Sequence, residues 1–323
     1  MSRGPSTGRL DRAEPLANPT RACQGGTTMR NLWAASAATV MCLALGMPAL
    51  AQEGSGTSAE IPGVTAHPEV LADVDWLAAH LEDPSVRVVD ARVGGPPYSA
   101  GHIPGAVAVD VFGELCCPSD IMDAEPFAAL MGTLGIGDDT TVVVYDTNSS
   151  IWGARLWWAL RYYGHDQAKL LDGGLAAWEA EGLPLETDTP GVKSATFTAE
   201  VRPQWRVTMD EVRTAIDDPA ISIVDALPPR SYTSGHIPSA ISLPVEDMLD
   251  ATGAVKGAEE LAAMLMAAGL DPAQRVITYC GGGYAGAFDA AVLDLMGFED
   301  IAMYDGALAE WTSDPSNPVE SVP

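Results

Sequence analysis

The chain has 323 residues, with 17 Lys+Arg against 44 Asp+Glu and a formal net charge of −27. So acidic a surface repels nucleic acid and anionic lipid, which excludes functions that depend on a basic patch. Five cysteines, with no Cys-x2-Cys pair and no clustered histidines, do not make a disulfide framework or a zinc site, so neither metal nor cofactor is expected.

In chain order, residues 1–28 lack apolar periodicity and read as a non-native or disordered extension ahead of a better initiator, Met29. Residues 29–51 then open with Met29-Arg30-Asn31, run apolar from 32 to 47 and close on Ala49-Leu50-Ala51. A basic start, a short apolar stretch and an A-x-A end describe a bacterial secretory signal. The run is too short for a comfortable membrane span. The mature protein is therefore expected near Gln52, periplasmic or secreted, with no stable membrane association. Removing residues 1–51 leaves 12 Lys+Arg against 42 Asp+Glu, with Lys169, Lys193 and Lys256 as the only lysines. An anionic substrate would then need local arginines and backbone amides to overcome the long-range field.

The remaining 272 residues are enough for two ordinary domains. Short β-branched runs predict strands at 87–89, 141–145 and 169–171, and amphipathic runs predict helices at 74–81, 127–134, 152–163 and 175–181. Apolar strands without clear alternation, separated by helices, predict an α/β fold with a parallel sheet covered on both faces. Residues 183–204, with Pro184, Pro190 and Pro203, read as a linker. The pattern then repeats with a period near 134 residues. Val88-Val89-Asp90-Ala91 answers to Ile223-Val224-Asp225-Ala226. Gly101-His102-Ile103-Pro104 answers to Gly235-His236-Ile237-Pro238, and Val143-Val144-Tyr145-Asp146 to Ile277-Thr278-Tyr279-Cys280. Asp172-Gly173 through Trp178 answers to Asp305-Gly306 through Trp311. Four matched blocks in one order indicate a duplicated domain.

Cys280 is the chemically informative member of this repeat. It ends the apolar run 276–279 and is followed by Gly281-Gly282-Gly283-Tyr284-Ala285 and by a helical pattern over 285–296. Glycine amides and a helix N-terminus both favour an anion, so a thiolate is stabilised there. Arg230, in Pro228-Pro229-Arg230-Ser231-Tyr232, is the best candidate for holding an oxyanion, because a guanidinium grips one bidentately. His102 occurs in the copy without a cysteine, so the shared Gly-His-Ile-Pro reads as a structural corner, and His236 with it. Asp90, Asp172, Asp225 and Asp305 read as loop organisers. Arg92 reads either as reaching the interdomain cleft or as pairing with a neighbouring acid. Trp152, Trp157 and Trp158 suit a buried helix, with a cleft wall open for Trp152. The adjacent Cys116 and Cys117 read as loop thiols without a catalytic role.

These blocks resemble the rhodanese family of sulfurtransferases over essentially all of residues 64–311. The resemblance implies two tandem rhodanese-like domains, at 64–182 and 205–313, of the thiosulfate or 3-mercaptopyruvate sulfurtransferase type. The first would be catalytically silent, with Asp146 at the cysteine position. It further implies a Cys280 persulfide, with the amides of Gly281, Gly282, Gly283, Tyr284 and Ala285 cradling the outer sulfur. The partners it implies are a small anionic sulfur donor and a thiol or cyanide acceptor. Two departures leave the donor open. The loop after Cys280 carries neither basic residues nor a Ser/Thr hydroxyl, and Asp90-Ala91-Arg92 becomes Asp225-Ala226-Leu227 in the second copy. Thiosulfate is slightly favoured, because inorganic sulfur species suit an exported protein. A sulfur-carrying module loaded by a protein partner is the alternative. Phosphatase chemistry is disfavoured, because position 286 is Gly where a Cys-x5-Arg loop needs Arg.

Overall fold

The computed structural model describes residues 64–117 and 120–322. The extension and secretory signal read at residues 1–51 lie outside them. The first half contains β1 (Leu71–Ala72), α1 (Val74–His80), β2 (Val86–Asp90), β3 (Val107–Ala108), β4 (Cys116–Cys117), β5 (Asp120–Ile121), α2 (Ala124–Thr133), β6 (Thr141–Tyr145), α3 (Ala154–Tyr162), β7 (Ala168–Leu171) and α4 (Gly174–Ala180). The second contains β8 (Arg206–Val207), α5 (Met209–Ala215), β9 (Ile221–Asp225), α6 (Pro229–Ser234), β10 (Ile241–Ser242), α7 (Ala258–Ala267), β11 (Arg275–Tyr279), α8 (Ala285–Leu295), β12 (Ile301–Tyr304) and α9 (Ala307–Ser313).

Each half forms a parallel five-stranded sheet. The first has the order β3-β2-β6-β7-β1 and the second β10-β9-β11-β12-β8, the same winding written twice. The central strands are mostly apolar because both faces are covered. In β6, Val142 and Val144 join one apolar cluster while Val143 and Tyr145 join another with Leu77 of α1 and Trp178 of α4. In β11, Ile277 and Tyr279 pack with Val212 of α5 and Trp311 of α9, so Val276 and Cys280 face the opposite layer. That layer is shared. It contains α2, α3, α7 and α8, and α3 packs directly on α8, so one continuous core runs from the first half into the second.

Two helix starts differ from the sequence pattern, each for a local reason. The second helix begins at Ala124, because Asp123 takes the extended N-cap conformation and Pro126 falls in the first turn, where no intrahelical N–H is needed. The third begins at Ala154, later than position 152, because the preceding residues curl around the Asp146 carboxylate. Residues 183–202 hold no helix and no strand beyond the bridge of Glu186 to His102, and Phe197 packs on Phe127 of α2.

The two Asp-Gly turns do more than organise their own loops. Asp172 Oδ1 accepts from Val255 N of the second half at 2.7 Å, and Asp305 Oδ2 accepts from Ile121 N of the first half at 2.8 Å. Each copy thus clasps the other through the same motif. Asp294 of α8 adds a hydrogen bond with His67 Nδ1 at 2.8 Å and an ion pair to Arg161 of α3 at 3.2 Å.

Candidate active site

Cys280 follows the last residue of β11, and its side chain is only 3% exposed. The chain must turn sharply from strand to α8, and Gly283 takes φ +84°, in the left-handed region that glycine enters without strain. Gly283 N donates to Cys280 Sγ at 3.1 Å. The carbonyls of the loop are engaged on its outer side. Leu308 N, in the first turn of α9, donates to Cys280 O at 2.9 Å, and Ala309 N donates to Gly281 O at 3.3 Å. Arg155 Nη1, from α3 of the first half, donates to Gly283 O at 3.3 Å. A trans peptide points its N–H opposite to its C=O. Holding these three carbonyls outward therefore turns the amides of Gly281, Gly282 and Tyr284 the other way. The loop is a concave set of donors suited to an anion.

The first copy supplies an internal comparison. Asp146 occupies the position of Cys280, and Leu175 N donates to its carbonyl at 2.9 Å as Leu308 N does to that of Cys280. Its side chain fills the loop. Oδ1 accepts from Asn148 N at 2.5 Å and Ser150 N at 3.0 Å, and Oδ2 accepts from Gly153 N at 2.7 Å. Burial pushes the Asp146 carboxyl up to about 6 against the opposing pull of these amides. A built-in carboxylate thus occupies in one copy the position that the Cys280 thiol takes in the other.

The surroundings of Cys280 are aromatic and apolar more than basic. Tyr284 packs at a tilt of 31° on Phe112 of the first half, with 4.1 Å between ring centroids, and meets Trp152 edge-on at 5.7 Å, so Trp152 lines the cleft while Trp157 and Trp158 are core. Leu227, which replaces the arginine of the first copy, packs near Gly281. Arg92 itself does not reach the second half. It is tied to Asp90, with Nη2 to Oδ2 at 2.5 Å. Arg230 lies exposed on α6, and only its carbonyl is engaged, by Thr233 and Ser234. The structure does not bring it into contact with Cys280. His102 and His236 each donate through Nδ1 to a tyrosine carbonyl four residues earlier and stack on that tyrosine, a repeated corner.

Two polar residues beneath the loop carry no motif of their own. Arg155 is fully buried, with Nη2 2.5 Å from Asp305 Oδ1 and its guanidinium 4.9 Å from the Trp158 ring centre. Asp289 of α8 is also fully buried, and neither carboxylate oxygen has a hydrogen-bond partner among the described residues. Burial raises its pKa well above the ordinary value, and its neighbours Cys280, Asp225 and Glu246 push the same way. The sequence signal for both was a charged residue early in a mostly apolar helical run. It was not legible as functional, because periodicity reports which face is buried and not what lies opposite.

Asp289 makes a stability prediction. Its pKa is raised in the folded chain, so the folded state holds the proton more tightly than the unfolded one. The contribution is full below about pH 4, the unfolded value, and is lost as pH rises through the folded value. Asp289→Asn removes this titration. Its stability relative to the parent is expected to improve with pH, by up to about 1.4 kcal/mol per pH unit within that window. Thermal unfolding of both proteins from pH 4 to pH 8 measures this, and parallel curves would show that Asp289 does not titrate there.

The Rhodanese-like domain family model matches residues 73–181 and 208–314. The chain belongs to the rhodanese family. The sulfur carrier protein TtuD of Thermus thermophilus is 33% identical over 76% of this chain and 94% of its own length. The mitochondrial thiosulfate/3-mercaptopyruvate sulfurtransferase 1 of Arabidopsis thaliana is 30% identical, covering 79% of each. The crystal structure of SseA from Escherichia coli, described as a rhodanese fold of 3-mercaptopyruvate sulfotransferases, superposes with a TM-score of 0.68 at 30% identity, over 74% of this chain and 98% of that one. The two sheets with one winding order are thus two rhodanese-like domains, and the chain is an enzyme of the sulfurtransferase type.

Proposed function

We propose that the protein moves a sulfane sulfur from a small anionic donor, thiosulfate or 3-mercaptopyruvate, to a thiophilic acceptor such as cyanide or a thiol, through a persulfide on Cys280. The observation that carries this is the loop in which Gly283 N meets Cys280 Sγ at 3.1 Å while the carbonyls of Cys280, Gly281 and Gly283 are bound on the outside. The Cys280 thiolate attacks the outer sulfur of the donor. A sulfur–sulfur bond forms to Cys280, and the donor's bond to that sulfur breaks, its electron pair leaving with sulfite or pyruvate. The acceptor then attacks the outer sulfur and returns Cys280 as thiolate, a two-step nucleophilic cycle. Amides turned into the loop stabilise the persulfide anion between the steps, and no cofactor takes part.

Thiocyanate formation from cyanide by residues 52–323, with each donor in turn, tests the reading. Saturable turnover with one donor supports the enzyme and names its donor class. Folded protein that turns over neither donor contradicts it and favours the carrier role, a reading that the Thermus relative makes specific. Arg230 supplies a second prediction. As an exposed guanidinium on the helix after β9, it is positioned to guide an anion across an acidic surface. Arg230→Ala is expected to raise the donor KM by about threefold to tenfold with little change in kcat, as loss of uniform binding does. An unchanged KM removes Arg230 from the site.

A further inference from the structure

Three donors hold the Cys280 loop from outside, and two of them, Leu308 N and Ala309 N, belong to the same domain as the cysteine. The third is different in origin. Arg155 comes from α3 of the domain that has no nucleophile, and its side chain is fully buried where α3 meets α8. Its Nη1 donates to Gly283 O, and its Nη2 lies against Asp305 Oδ1. Asp305 is itself fixed from the first domain, since its Oδ2 accepts from Ile121 N at 2.8 Å, and Arg206 Nε lies 3.3 Å away. Space at this point is fully used. A Cβ on Gly283 would lie 2.9 Å from Arg155 Nη1.

The Gly283–Tyr284 peptide is the last one before α8, and its orientation decides whether the Tyr284 N–H faces into the loop or away from it. A flip of this peptide rotates ψ of Gly283, where no side chain resists it, together with φ of Tyr284, which is −98°. A flip would aim the Gly283 carbonyl at the anion and remove one donor from the cradle. Arg155 opposes that flip because a guanidinium buried beside a carboxylate has a fixed direction.

We propose that Arg155 is a positioning residue for the catalytic loop: by holding the Gly283 carbonyl outside, it keeps the Tyr284 amide turned toward Cys280, so that the silent domain sets the anion affinity of the catalytic one. This rests on the persulfide reading above for its effect on turnover, but not for its effect on the thiol. Asp289 of α8 interacts with Cys280, Asp225 and Glu246, and together with Asp305 and Arg155 these are the charged groups around the loop. All of them except Arg155 itself are left in place by the test.

The test compares the full chain with Arg155→Lys and Arg155→Met, using the pH profile of Cys280 alkylation by iodoacetamide alongside kcat and KM with thiosulfate and cyanide. Arg155→Met is expected to move the alkylation midpoint up by about one pH unit and to lower kcat about tenfold to a hundredfold, with donor KM within about twofold. Arg155→Lys, which keeps the charge beside Asp305 but loses the fork, is expected to lie between the two. If Arg155→Met does not fold, the lysine variant carries the test alone. A folded variant with the parent midpoint overturns the proposal. Faster alkylation at every pH with an unmoved midpoint does the same, because it reports loosened packing only. If the parent transfers no sulfur yet the midpoint still shifts, the functional reading fails and the positioning role stands.

Discussion

Cys280→Ser is expected to lower sulfur transfer by about a thousandfold or more while leaving the melting temperature within about 3 °C of the parent. The activity loss follows from chemistry. A serine hydroxyl in the same loop is not ionised near neutral pH and forms no persulfide. The stability expectation follows from geometry. The side chain is 3% exposed, nearly the same size after substitution, and its sulfur accepts one amide that a hydroxyl oxygen also accepts. Steady-state thiocyanate production with a thermal melt checks both halves. Transfer that survives in the serine variant would move the nucleophile elsewhere.

The second large effect is Gly283→Ala. A side chain at φ +84° costs about 1–2 kcal/mol in backbone strain alone. The new Cβ would also come within 2.9 Å of Arg155 Nη1 and 3.2 Å of Asp305 O, so a buried ion pair or the loop has to move. The loop is the softer of the two, and it carries the amide that meets Cys280. A loss of about a hundredfold in kcat is expected, the size seen when a preorganised donor is removed from an anion site. Gly282→Ala is the control. Its added Cβ meets nothing nearer than Tyr284 Cε2 at 3.8 Å, so it is expected to stay within about threefold of the parent. Equal effects from the two alanines would show that loop flexibility, and not the position of Gly283, is what matters.

The fold was legible because the sequence repeats itself. Each block that recurs in order fell in the same place in each sheet: Asp90 and Asp225 end β2 and β9, and Tyr145 and Tyr279 end β6 and β11. Each of those tyrosines donates to the aspartate of its own copy, at 2.6 and 2.7 Å. Elements defined by apolar period were located closely, while starts governed by a side chain were not. The shift of the third helix to Ala154 depends on the Asp146 carboxylate gathering amides, which composition does not show. At the site, Cys280 and its glycines were legible because a thiol, a run of glycines and a helix form a local pattern. Arg155 was not, since it acts across 128 residues of sequence and through a carbonyl that every residue possesses. Arg230 was selected for its charge and lies exposed on α6, apart from the contacts that hold the loop.

The most direct measurement is the intact mass of the protein after brief exposure to thiosulfate or 3-mercaptopyruvate without acceptor, followed by peptide mapping. A gain of one sulfur atom on the peptide that carries Cys280, lost on adding cyanide and absent in Cys280→Ser, is the expected result. A persulfide found on Cys116 or Cys117 instead, or turnover with no sulfur retained on the protein, would contradict the assignment of Cys280 as the sulfur-bearing nucleophile.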